Sequence, residues 1–146
     1  MPTFAKLLAA FGFAVLAFSI SLQFLATSDL AMRTDWLAPG NAIIGALVGW
    51  KLTGSKAGGG LASGLGNGLT GGVVLGLVAV FVWAIHQSAV QALRRRLDDP
   101  SEAISVLGEK VITVGSYLAR PDLLVLLGVG SVVIGILVEF IAGRRR

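Results

Sequence analysis

Residues 56–86 read KAGGGLASGLGNGLTGGVVLGLVAVFVWAIH. Within them Gly60, Gly64, Gly68, Gly72 and Gly76 recur at every fourth position, and ten of the chain's twenty glycines fall between positions 54 and 76. In a helix exposed to water each would cost about 1 kcal/mol relative to Ala. In a bilayer the balance changes. Lipid tails are as apolar as Leu, so helices associate by close packing, and small residues let their backbones approach. A spacing of four lays these glycines along one slowly drifting stripe of a helix. The stripe predicts a groove for a second helix, with Leu69, Val73, Leu77, Val80 and Phe81 turned elsewhere. The competing reading is a flexible loop to about Gly68 followed by a shorter span. It is strongest for Gly58, Gly59 and Gly60, which suit a turn before the helix.

The same stretch contains a false signal. Gly66-Asn67-Gly68-Leu69-Thr70-Gly71 fits the pattern G-x-G-x-x-G. A dinucleotide site also needs a preceding strand, a βαβ unit and an acid about twenty residues on. Position 91 is Gln, and the glycines lead into a long apolar run.

Composition agrees with a membrane setting. Of 146 residues, 55% are hydrophobic and 14% charged, against about 25% charged in a soluble domain. The apolar runs are continuous and lack period-two alternation, so helices rather than a barrel are expected. There is no cysteine and only one histidine and one tyrosine. The sequence offers no catalytic constellation, no metal-ligand cluster and no cofactor motif, and nothing in it suggests a nucleic-acid partner.

Outward from the glycine row, the spans follow in order. Residues 4–26 form a first apolar run long enough to cross a bilayer. Lys6 near its start can reach the headgroups, and Ser19, Ser21 and Gln23 are expected to face neighbouring helices. A cleaved signal peptide competes for this run, but its length and five Phe favour a retained anchor. A polar link with Asp29, Arg33 and Asp35 leads to a short second span, 36–52, with Pro39 in its first turn, where a missing N–H costs little. Gly45 and Gly49 form a second small-residue pair, and the tight connection from 53 to 60 makes them the expected partner of Gly64, Gly68 and Gly72. Asn41 and Asn67 are candidates for hydrogen bonds between helices, each contributing about 1 kcal/mol.

The third span is 61–86. Trp36, Trp50 and Trp83 each fall near a predicted helix end, where indole rings prefer to sit, and His86 reads as an interfacial residue. Arg94, Arg95 and Arg96 continue the helix out of the membrane, and Asp98-Asp99-Pro100 breaks it. Asp99 then suits an N-cap, Pro100 the first helical position and Glu102 the third. Residues 100–119 carry Ile104, Leu107, Val111 and Leu118 at helical spacing. They predict an amphipathic helix, either flat on the membrane surface or covering the end of the bundle. Residues 122–142 are the last span, opened by Pro121 and Asp122, with Gly128, Ser131 and Gly135 as another small-residue face.

The expected architecture is an all-α integral membrane bundle of four transmembrane helices plus one amphipathic interfacial helix, a single membrane domain over 1–146. Gly45, Gly49, Gly60, Gly64, Gly68, Gly72 and Gly76 are its packing residues. Four spans put both termini on one side, with Lys6, Lys51, Lys56, Arg144, Arg145 and Arg146. The other side receives Arg33, Arg94, Arg95, Arg96, Lys110 and Arg120, together with the loop acids. The Lys and Arg count is a tie, so the short Lys51–Lys56 loop and the terminal Arg cluster are what favour cytoplasmic termini. Asn41, Asn67 and Glu139 are the candidate polar sites. Glu139 lies inside the last span, where a carboxylate is a functional candidate. The competing reading, which its nearness to the helix end favours, is an interfacial ion pair with Arg144, Lys6 or Lys51.

Several stretches together resemble the small TrgA family of bacterial membrane proteins, named for tellurium resistance. They are Met1-Pro2-Thr3 with Ala5-Lys6-Leu7, Gly40-Asn41-Ala42 with Gly45 and Gly49-Trp50-Lys51, and Gly66-Asn67-Gly68-Leu69-Thr70. Arg94–Arg96 with Pro100 and Glu102-Ala103 follow, then Pro121 and Glu139 with the terminal arginines. Lys51 stands where Arg is expected after the Gly-Trp pair. The resemblance spans nearly the whole chain, and none of its motifs is catalytic. It implies an inner-membrane protein associated with tellurite tolerance. The expected partners are the lipid bilayer and either further copies of the chain or a larger membrane complex. Other readings of the residues are a small oligomeric channel or transporter, with Glu139, Asn67 and Thr70 lining its path, and an accessory subunit.

Overall fold

A computed structural model describes residues 3–27, 35–95 and 99–144. Asp29, Arg33, Arg96, Asp98, Arg145 and Arg146, which entered the charge comparison, lie outside the described residues, as do Met1 and Pro2. All regular structure among the described residues is helical. The helices are α1 (Thr3–Thr27), α2 (Leu37–Val48), α3 (Leu61–Arg95), α4 (Pro100–Leu118) and α5 (Pro121–Gly143). A π-helical turn, Gly49–Thr53, continues α2. Three helices are long and apolar enough to cross a membrane: α1, α3 and α5. The expected second span is divided instead, with twelve residues in α2 and five in the π turn.

Each of α1, α3 and α5 contains a membrane-length apolar stretch, and along it packing rather than polarity distinguishes the faces. On α1 the buried residues Ala5, Ala9, Phe13, Leu16, Ala17, Ile20 and Phe24 form one stripe, while Leu7, Phe11, Val15, Phe18 and Leu22 face outward. On α5 the inward row is Leu123, Leu127, Ser131, Gly135 and Glu139, again every fourth residue. Ser21 is buried as expected, but Gln23 is exposed, and the exposed Ser19 hydroxyl donates to the Val15 carbonyl of its own helix.

The glycines set which helices touch. A Cβ on Gly68 would collide with the Ser131 carbonyl, and one on Gly135 with the Gly64 carbonyl. One on Gly72 would stand 2.5 Å from Ser131 Oγ. The α3 stripe therefore receives α5. Gly45 and Gly49 meet the carbonyls of Phe13 and Ala9 on α1. The expected pairing of Gly45 and Gly49 with Gly64, Gly68 and Gly72 is thus replaced by two others. The reason is geometric: α1 offers Ala9, Ala10 and Ala17 to α2, while the small face of α5 fits the α3 groove. Gly60 is not a packing residue. It precedes α3 with φ +96°, and a Cβ there would meet nothing. Gly76 packs against Leu127 and Leu118 side chains rather than backbone.

These contacts fix directions. Gly45 and Gly49 oppose Phe13 and Ala9, so α2 runs back along α1. Gly64 opposes Glu139, and Gly72 opposes Ser131, so α5 runs back along α3. Gly54 reaches the Lys6 backbone, because a bond from Gly54 N–H to Gly49 O, five residues back, widens the last turn. That turn also sets Thr53 inward, where its hydroxyl donates to Asn67 O at 3.3 Å. At the opposite end, Arg120 Nη1 donates to Thr27 O at 3.0 Å, and Phe24 meets Tyr117 edge to face at 6.0 Å.

α4 starts as its sequence predicts. Asp99 is the N-cap, and its Oδ1 accepts from Ser101 N–H at 3.0 Å. That backbone bond holds the Asp99 carboxyl below its ordinary range. The helix turns Val106 and Val114 inward. Gly115 lies against Val80, and Leu118 against Gly76. With only four residues joining Arg95 to Pro100, α4 folds back along the C-terminal half of α3, an arrangement closer to a cover than to a helix lying flat. Arg120 takes the extended conformation required before Pro121, which ends α4 and starts α5.

Candidate functional site

Two buried polar clusters stand at opposite ends of the apolar bundle. The first is built on Glu139. The α5 register points it at α3, and only 5% of the residue is exposed. A carboxylate there is costly unless its oxygens find donors. They accept from Gly58 N–H at 2.9 Å, Gly60 N–H at 3.3 Å and Gly59 N–H at 3.4 Å. Three successive amides converge because Gly58 and Gly60 take φ values of +112° and +96°, a region closed to most side chains. Gly60 O also accepts from Gly64 N–H, so the carboxylate sits on the first turn of α3, where the helix dipole favours a negative charge. The expected ion pair with Arg144, Lys6 or Lys51 is replaced by backbone amides. Arg144 instead lies over the Phe140 ring, 5.0 Å from its centroid.

The same end is pinned by Asn67. Its Nδ2 donates to Ser63 Oγ at 3.0 Å and to Lys56 O at 3.3 Å. It ties the loop before α3 to α3 itself, rather than joining two spanning helices.

The second cluster is built on Asn41. Its Nδ2 donates to Ser21 Oγ on α1 at 2.8 Å, and its Oδ1 accepts from Trp83 Nε1 on α3 at 2.6 Å. Ser21 Oγ in turn donates to Ala17 O at 2.7 Å. One side chain on α2 thus joins three helices, as the sequence suggested for Asn41. Trp83 is not the interfacial ring expected. It is 7% exposed, with His86 packed edge-on at 5.4 Å. Trp36, at the N-cap of α2, and Trp50, within the π turn, are exposed.

The structure therefore separates Asn41 from Glu139 and gives each its own partners. The residues not anticipated are Gly58, Gly59 and Gly60 as donors to Glu139, and Trp83 as donor to Asn41. A three-glycine run directly before a helix start, in a chain with one intramembrane acid, was the signal for the first. No group of three or more His, Asp or Glu is placed to hold a metal among the described residues. No family model matches the chain, and no curated protein or solved structure matches it.

Proposed function

We propose that the chain is a non-enzymatic four-span protein of the bacterial inner membrane, with both termini in the cytoplasm. Its glycine-packed bundle has an accessory role in tolerance to tellurite or a related stress. The observation that carries the non-catalytic part is that the polar side chains of both clusters end on structural partners. Glu139 is committed to three backbone amides, and Asn41 to Ser21 and Trp83. The stress assignment rests on the resemblance of the sequence motifs to the tellurium-resistance family. The fourth span is α2 with its π turn, whose contacts follow α1 from Phe13 to Lys6.

A channel or transporter has less support. Glu139 and Asn67 are held by the loop before α3, and the Thr70 hydroxyl donates to Gly66 O of its own helix. The accessory-subunit reading has one observation in its favour. Leu93 near the end of α3 and Ile104 and Ile112 on α4 are 83%, 71% and 73% exposed. Recovery of a stoichiometric partner in mild detergent supports it, and a lone protein counts against it.

The deciding experiment is tellurite tolerance of a deletion strain complemented with the wild type, Gly68→Leu or Gly66→Leu. Gly68 touches α5 backbone, whereas a Cβ on Gly66 meets nothing. Rescue by the wild type and Gly66→Leu, but not by Gly68→Leu, ties the packed bundle to tolerance. Unchanged tolerance in the deletion strain removes the stress assignment.

A further inference from the structure

Close packing breaks down at one level of the bundle. Next to the Asn41 cluster, Ile20, Phe24, Leu37, Val80, Trp83 and Leu127 surround a cavity of about 50 Å³. The space exists because α3 contributes Gly76 and Ala79 to this wall and so presents little side-chain bulk. The polar groups of the wall are already engaged, Ser21 with Ala17 and Asn41, and Asn41 with Trp83. A buried water needs two to four polar partners, which this wall does not have to spare, so the cavity suits an apolar occupant. Its size selects the kind. An apolar cavity of about 150 Å³ holds benzene, so a third of that volume admits a narrow aliphatic chain end and not a ring.

The position selects the source. Most of the lining is buried, but Asn41, Ala79 and Leu118 are half-buried and mark its rim. Ala79 adjoins Val78 and lies three residues from Val82, both exposed on the apolar outer face of α3. Leu75 and Gly76, at the other end of the cavity, lie near the middle of the 61–86 span, the depth at which bilayer tails end. We propose that this cavity receives the terminal carbons of an acyl chain from a membrane lipid, entering beside Ala79. The proposal rests on the membrane-spanning reading, which co-flotation of the protein with vesicles checks separately.

The chain has three tryptophans, so Trp36→Phe with Trp50→Phe leaves Trp83, part of the cavity wall, as the sole indole emitter. The full chain carrying these two changes is reconstituted into phosphatidylcholine vesicles with or without bromine on the last carbons of one tail. The expected result is loss of Trp83 emission in the brominated vesicles. Adding Ala79→Val, which places two methyl groups in the cavity, restores most of it. Val114→Leu fills from the α4 wall and gives the same recovery if Ala79→Val perturbs folding, which circular dichroism reports. Equal quenching in the unfilled protein and both filled variants means that the bromines act only from outside, and overturns the proposal.

Discussion

At the scale of single residues, Glu139 combines the features of a reactive group with the role of a fastener. It is a buried acid in an apolar bundle, yet its oxygens close the start of a neighbouring helix. Glu139→Gln keeps the shape, removes the charge and sets an NH₂ donor against amide donors. Hydrogen bonds to a charged group contribute roughly 1.5–3 kcal/mol each, and these three share one carboxylate. The expected loss is about 2–3 kcal/mol, read as a lowered midpoint in denaturant titration of the detergent-solubilised protein. A midpoint equal to wild type rejects the capping role. The sequence marks Glu139 as unusual because an acid in an apolar run is conspicuous. It does not mark the partners, since Gly58 lies 81 residues away and its contribution is a backbone N–H. Trp83 was hidden for a related reason. Nearness to a predicted helix end suggests an interfacial ring, and only the position of Asn41 on a neighbouring helix turns it inward.

At the scale of elements, hydrophobic runs and helix caps were the readable features. The spans 4–26 and 122–142 match α1 and α5 closely, and Asp99 with Pro100 starts α4 as expected. Pairing was not readable, because a stripe of glycines shows that a helix will be approached closely and does not say by which one. Ser131 and Gly135, four apart on α5, were as good a match for Gly64 and Gly68 as Gly45 and Gly49 were. The α4 cap gives a prediction with a sign. The Asp99 carboxyl is held below its ordinary range by Ser101 N–H. Its contribution is therefore present above the unfolded carboxylate pKa and is lost as pH falls through the lower folded value. Hydrogen exchange at the Ser101 amide, corrected for its intrinsic pH dependence, should show falling protection over that acidic window. Asp99→Asn keeps an acceptor without a titrating group, so its protection should stay level. A falling curve in both proteins assigns the effect elsewhere.

At the scale of the whole molecule, α3 is the axis. Its 35 residues extend about 52 Å at 1.5 Å each, well beyond a hydrocarbon core of about 30 Å. α4 runs back along the excess and reaches the apolar part at Gly76 and Val80, where α1, α2 and α5 also pack. Lys6, the 54–60 loop and Glu139 share one end, and Thr27 and Arg120 share the other. With no native cysteine, Ser55→Cys and Ser101→Cys give clean single labels. A membrane-impermeant maleimide added to intact cells should label Ser101→Cys and reach Ser55→Cys only after permeabilisation. Labelling of both positions from the same side rejects the four-span arrangement. The join between Glu139 and the glycine loop also dictates a sequence of events during synthesis. Gly45 and Gly49 meet residues made only about thirty to forty positions earlier, so the first hairpin can close as soon as it leaves the ribosome. The three loop amides must wait for a residue about eighty positions downstream. At 5–20 residues per second that is roughly 4–16 s, an interval in which α3 is itself made and then waits, neither capped nor paired with α5. The arrival of α5 thus decides when the growing polypeptide stops being exposed to quality-control proteases and becomes a closed bundle.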